Sequence, residues 1–87
     1  MIKVMDFCRV VSDKKLKGSG LVRGDIVVVA GVDNVPASRQ DPYLLRTVVR
    51  VLRVVDGEIQ YPKEGNENKI YLIDPRSVEI IDDYVGG

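Results

Sequence analysis

The chain has 87 residues, of which 45% are hydrophobic and 30% charged, with thirteen basic and thirteen acidic side chains. This length allows one small hydrophobic core, so we expect a single domain over residues 1–82 and a flexible tail over 83–87. The chain has no histidine, the usual general base and transition-metal ligand, and its one cysteine has no histidine to activate it. Composition therefore argues against an enzyme and predicts no catalytic residues, no metal and no cofactor.

The location of the protein is predicted from three further features. Residues 1–11, MIKVMDFCRVV, lack the charged-then-apolar plan and the cleavage site of a signal peptide. No apolar run approaches the roughly 20 residues that a membrane helix needs. One cysteine cannot form an internal disulfide, so nothing points to secretion. These features predict a cytoplasmic protein without a membrane partner.

The first part of the chain is expected to start with a strand. Sixteen valines and seven isoleucines, against one phenylalanine and no tryptophan, favour extended structure because branched Cβ atoms suit a pleated sheet. Residues 2–11 have apolar side chains on both faces, which predicts a first strand with Cys8 as a small buried member. Residues 12–24 are rich in glycine and lysine and predict a long polar loop.

The next segment is predicted to be a strand followed by a loop. Residues 25–31, DIVVVAG, have the continuous apolar pattern of a buried strand. Residues 32–42 contain Pro36 and Pro42, which lack the N–H that regular pairing requires. We therefore expect a loop over 32–42.

Residues 41–57, DPYLLRTVVRVLRVVDG, admit two interpretations. As a helix, the run has an Asp-Pro start and a glycine stop. As a strand, it has six β-branched residues among the thirteen over 43–55, and it ends in Asp56-Gly57, a strong hairpin signal. We predict a strand over 45–55 that turns at Asp56-Gly57 into a second strand over 58–61.

The last third of the chain is read as two short strands around a tight turn. A polar turn is expected over 62–69, strands over 70–73 and 78–81, and a single turn over 74–77. Five or six short strands in so small a chain must close or pack face to face. The sequence therefore predicts an all-β fold, either a small barrel or a β-meander of five to six short strands with at most one short helical turn.

The order of these signals is similar to that of the SH3-like small β-barrels. GDIVVV followed by a hairpin, and then IYLIDPRSVEII with a turn around a proline, resembles that family over about residues 20–81. The resemblance implies a barrel in which a helical turn joins the last two strands and a long loop follows the first. Peptide-binding members recognise proline-rich ligands on clustered aromatics that include tryptophan, which this chain lacks. The resemblance therefore implies the fold and not that activity.

Two functions from different classes follow. The first is a non-enzymatic protein-interaction or assembly module, in which an edge strand, a long loop or an apolar face contacts a protein partner. Such a module would be a subunit or regulator of a larger complex, for example in a viral particle. The sequence leaves the partner and the oligomeric state open.

The second function is a nucleic-acid-binding barrel that uses the basic segments 14–23 and 46–53 without strong sequence specificity. Its candidate phosphate contacts, which would equally serve a protein partner, are Lys14, Lys15, Lys17, Arg23, Arg46, Arg50 and Arg53. Tyr43 and Tyr61 are the candidates for base stacking. The alternative for the three arginines over 46–53 is pairing with an acidic residue on a neighbouring strand.

Overall fold

The computed structural model describes residues 2–12, 16 and 20–82, and this part of the chain is nearly all β. Its six strands are β1 (Phe7–Val10), β2 (Ile26–Pro36), β3 (Leu45–Val55), β4 (Glu58–Ile59), β5 (Tyr71–Ile73) and β6 (Val78–Ile80). One 3-10 turn, Pro75–Ser77, lies between β5 and β6 within these residues. All pairings are antiparallel, in the order β4-β3-β2-β1-β6, with β5 also paired to β3. The predicted class, strand number and single helical turn are confirmed.

The strand interpretation of residues 45–55 is confirmed, and the helix is excluded. β3 spans Leu45–Val55 because branched side chains fill both faces of the sheet at this point. Asp56 and Gly57 have φ values of 52° and 79°, as a two-residue hairpin turn with two left-handed positions requires. β4 is shorter than predicted and ends at Ile59, although the Gln60 N–H still donates to the Arg53 carbonyl at 2.9 Å.

The predicted loop over 32–42 is wrong in its first half. β2 continues to Pro36, which pairs with Leu45 at the end of the strand. A proline is tolerated at this position because its nitrogen faces away from β3. The register of β2 shifts between Val29 and Gly31, so Ala30 is the extra residue of a β-bulge.

The predicted first strand over 2–11 is too long. β1 is limited to Phe7–Val10, because Met5 has a φ of 76° and turns the chain just before the strand. The Met5 N–H nevertheless donates to the Val29 carbonyl at 2.8 Å, which keeps the N-terminal segment beside β2.

Apolar side chains pack on both faces of the sheet. The larger cluster of buried side chains consists of Cys8, Val10, Leu16, Leu21, Val27, Val29, Val49, Val51, Ile73 and Val78. The smaller cluster, on the opposite face, has Val28, Leu52 and Val54 at its centre and Phe7, Ile26 and Ile59 around them. Val49 and Val51 of β3 therefore belong to one cluster, and Leu52 and Val54 belong to the other, as the alternation of side chains along a strand requires.

Cys8 is fully buried, as predicted. Burial, with a smaller contribution from the Asp6 carboxylate, raises the pKa of its thiol to about 11. Cys8 is therefore an uncharged packing residue of the larger cluster at neutral pH.

Over the described ranges, no helix has the length and apolar character needed to cross a bilayer. The predicted tail over 83–87 lies outside the described residues.

Candidate functional site

β2 and β3 extend beyond the strands that flank them. β1 pairs with β2 only over 26–28, and β5 pairs with β3 only over 49–51. Residues 33–36 of β2 therefore pair only with residues 45–48 of β3, and Val32 pairs with Val49 at their base. Residues 32–48, which comprise Val32, these two stretches and the loop between them, form a two-stranded projection, the hairpin arm. The Ala37 N–H closes its tip by donating to the Leu44 carbonyl at 2.7 Å.

The base of the arm is held by one arginine. Gly31, next to the bulge at Ala30, lies under the Arg50 guanidinium, and a Cβ at position 31 would come within 2.7 Å of Arg50 Cζ. Only glycine leaves room for this contact. Arg50 Nε also donates to Asp33 Oδ2 at 2.8 Å. The guanidinium thus links the two strands at the point where the bulge increases their twist and the arm leaves the body of the sheet.

The tip of the arm exposes consecutive large apolar side chains. Tyr43, Leu44 and Leu45 are 93%, 60% and 56% exposed, and Val32 near the base is 43% exposed. A single exposed leucine is ordinary, but a continuous apolar run on a projecting element is typical of a contact surface. The arm therefore presents apolar area to water that another molecule can cover.

Two grooves flank the arm. The larger, of about 430 Å³, is lined by Ile2, Val32, Asn34, Thr47, Val49 and Pro75. The smaller, of about 170 Å³, lies at the outer edge of β3 and includes Val35, Arg46, Val48, Leu72, Ile73 and Asp74. Because successive side chains of a strand point to opposite faces, Thr47 lines the larger groove, while Arg46 and Val48 line the smaller.

The structure divides the predicted basic residues into groups. Arg50 pairs with Asp33, and Arg53 donates to Asp25 Oδ2 at 3.1 Å and to the Gly20 carbonyl at 2.8 Å. These ion pairs are the alternative that the sequence offered for the arginines. Each joins β3 to another segment of the chain.

Of the remaining basic candidates, the structure describes Arg23 and Arg46. Arg23 and Arg46 are exposed and form no ion pair within the described residues. Lys14, Lys15 and Lys17 lie outside the described residues. The described residues therefore do not show the continuous basic track that the two basic segments suggested.

The two tyrosines proposed for stacking lie far apart. Tyr43 is at the tip of the arm, beyond one end of β3, and Tyr61 follows β4, which pairs with the other end. At about 3.3 Å per residue, a strand of this length separates them by roughly 30 Å. They cannot stack neighbouring bases on one platform.

Sequence reasoning missed the arm itself and its apolar tip. Because Pro36 marked residues 32–42 as a loop, the strand over 45–55 was expected to begin at Leu45 without a partner in residues 32–36. Val32 and Val35 in VDNVP were the available signal that β2 continues.

The described residues contain no group of three or more cysteine or acidic side chains placed to hold a metal ion. Comparisons of the chain with protein-family models, with curated proteins and with solved structures found no match.

Proposed function

We propose that this chain is a non-enzymatic protein-interaction module and that the hairpin arm is its contact surface. The observation that carries the proposal is the exposed run Tyr43-Leu44-Leu45 at the tip. Tyrosine is enriched among the residues that dominate binding energy at protein interfaces, and neighbouring apolar residues exclude water around it. A projecting arm of this kind suits a subunit or regulator of a larger assembly, for example in a viral particle.

The proposal includes a small SH3-like barrel as the body of the module. The strand order supports it, because β1 lies between β2 and β6 and the 3-10 turn lies between β5 and β6. In such a barrel the arm would be an extended connection between the second and third strands. A cytoplasmic setting is also proposed, and it is supported by Cys8, a single cysteine that is fully buried and forms no disulfide.

Nucleic-acid binding is the second candidate. The exposed guanidinium groups of Arg23 and Arg46 support it, since neither is paired within the described residues. It ranks below protein binding because Arg50 and Arg53 are engaged by Asp33 and Asp25. Carboxylates beside these guanidiniums would repel phosphates.

Position-specific photo-crosslinking tests the interaction module. In one variant benzoylphenylalanine replaces Tyr43, and in the other it replaces Tyr61, which is 53% exposed. Both variants are produced in the protein's native cells. We expect discrete protein adducts from position 43 and none of the same mass from position 61. Both variants replace an exposed tyrosine with the same residue, so they differ only in position. Identical adducts from the two positions, or no adducts from position 43, would refute the arm as the contact surface.

A titration separates the second candidate from the first. Labelled single-stranded DNA, duplex DNA and RNA are mixed with the protein at low and at near-physiological salt. Binding that falls steeply with salt and is weakened by Arg46→Gln would favour nucleic acid. No binding at low salt would exclude it.

A further inference from the structure

The outer edge of β3 is covered over only part of its length. β4 pairs with residues 54–55 and β5 with 49–51. The hydrogen bond from the Ala37 N–H to the Leu44 carbonyl shows which opposed residues of β2 and β3 form hydrogen-bonded pairs. Because hydrogen-bonded pairs alternate along an antiparallel ladder, Leu45 and Thr47 direct their backbone N–H and C=O groups away from β2. The bond from the Gln60 N–H to the carbonyl of Arg53, another odd-numbered residue of β3, agrees with this alternation.

A proline explains why β5 stops short of the arm. Val49 pairs with Ile73, so the next outward-facing residue, Thr47, falls opposite Pro75. Pro75 has no N–H to donate and begins the 3-10 turn, so the β5 ladder ends before Thr47, although the turn itself stays close to β3. Within the described residues, no strand other than β2 pairs with Leu45–Thr47; we call this outer edge of β3 the free edge.

Two other edges of the sheet, those of β2 and β6, are less suited to pairing. On the opposite side of the arm, the outward-facing positions of β2 are 32, 34 and 36, and Pro36 lacks an N–H. β6 has three residues, and its central Glu79 is paired with Arg9. The free edge has no proline and no acidic side chain between residues 45 and 48.

Arg46 indicates what the free edge accepts. Its guanidinium is exposed beside the smaller groove and forms no ion pair within the described residues. Two copies of the chain paired antiparallel about the centre of the free edge would place Arg46 opposite Arg46, and like charges in that position destabilise a strand pair. An acidic side chain in the same position would stabilise it. The edge therefore favours a different, acidic partner over a second copy.

The two grooves impose an alternating pattern on that partner. Residues of an added strand that lie beside Leu45 and Thr47 would point toward the larger groove, where Ile2, Val32 and Pro75 offer apolar contact. The residue beside Arg46 would point to the opposite face, next to its guanidinium. Apolar side chains on one face and acidic side chains on the other match this arrangement.

We propose that the free edge binds an extended segment of a partner protein, with alternating apolar and acidic residues, as an additional strand of the sheet. The inference rests on the proposed function and specifies how the arm would bind. Outward backbone groups supply the pairing, and the grooves and Arg46 supply the sequence preference.

The probe is a fluorescein-labelled octapeptide of alternating valine and glutamate, with binding measured by fluorescence anisotropy. The reference is the same composition arranged as four valines followed by four glutamates. We expect the alternating peptide to bind at least about tenfold more tightly, since it alone offers acids and valines to opposite faces. No binding of the alternating peptide at millimolar concentration, or equal binding of both peptides, would overturn the proposal.

Two proline variants locate the binding edge. Thr47→Pro removes an outward N–H of the free edge, and Asn34→Pro removes the corresponding outward N–H on the other side of the arm. The two are matched because each also removes the hydrogen bond between Thr47 Oγ1 and Asn34 Oδ1, which is 3.1 Å long. We expect Thr47→Pro to weaken binding at least about tenfold, and Asn34→Pro, which alters a side chain of the larger groove but no donor of the free edge, to weaken it less than about threefold. Equal effects would contradict binding at the free edge.

A measurement on the unaltered protein guards against misfolded variants. Saturation with the alternating peptide should slow hydrogen exchange at the amides of Leu45 and Thr47 and leave those of Val32 and Asn34 unchanged. Unchanged exchange at Leu45 and Thr47 would overturn strand addition. Adducts from position 43 without peptide binding would refute the added strand alone, whereas the loss of those adducts would refute the interaction module itself.

Discussion

Replacement of Val49 by alanine should destabilise the domain strongly, because Val49 lies at the centre of the sheet. It is 1% exposed and faces Val32 on β2 and Ile73 on β5. The loss of two buried carbon atoms costs about 1.6 kcal/mol at about 0.8 kcal/mol each. The cavity left behind raises the total to about 2–3 kcal/mol. A domain of this size has a free energy of unfolding of only about 4–13 kcal/mol.

Thermal unfolding followed by circular dichroism measures this effect. We expect the Tm of Val49→Ala to fall by about 8–24 °C, at about 4–8 °C per kcal/mol. Leu45→Ala is the matched control on the same strand and face, and it removes more atoms from a side chain that is 56% exposed. Leu45→Ala should lower the free energy of unfolding by only about 0.5 kcal/mol. Equal decreases in Tm for the two variants would refute the reasoning that the buried Val49 contributes more to stability than the exposed Leu45.

Three further results are expected. Gly57 has a φ of 79°, so Gly57→Ala should lower the urea midpoint by an amount equivalent to about 1 kcal/mol, while Asp56→Gly changes it little. Arg50→Gln should lower the free energy of unfolding by less than about 1 kcal/mol, because Arg50 and Asp33 are both nearly half exposed. This loss should shrink in about 1 M salt, and a loss independent of salt would contradict the ion pair. Burial raises the pKa of Cys8 from 9.0 to about 11, so the unfolded chain loses this proton first as pH rises. The free energy of unfolding should therefore fall from about pH 9 to about pH 11, and Cys8→Ala should lack this part of the decrease.

The sequence determined those elements whose causes are local. β-branched residues over 45–55 and the left-handed tolerance of Asp56-Gly57 specified a strand and a tight turn, and the structure has both. The turn before β6 is also local, since Asp74 Oδ1 accepts the Arg76 N–H at 2.8 Å and Pro75 supplies a preset φ. Each signal acts within a few residues and can be read without knowledge of the fold.

The hairpin arm and its free edge were decided by the tertiary structure. Pro36 predicted a loop, yet the pairing of residues 32–36 with residues 45–49 extends β2 to that proline, because its nitrogen faces away from β3. The sequence left open whether the arginines form a basic track or pair with acidic side chains on neighbouring strands, and the tertiary structure pairs Arg53 with Asp25 across 28 residues of sequence. The free edge exists because Pro75 ends β5 opposite Thr47, a relation set by strand register between segments distant in the chain.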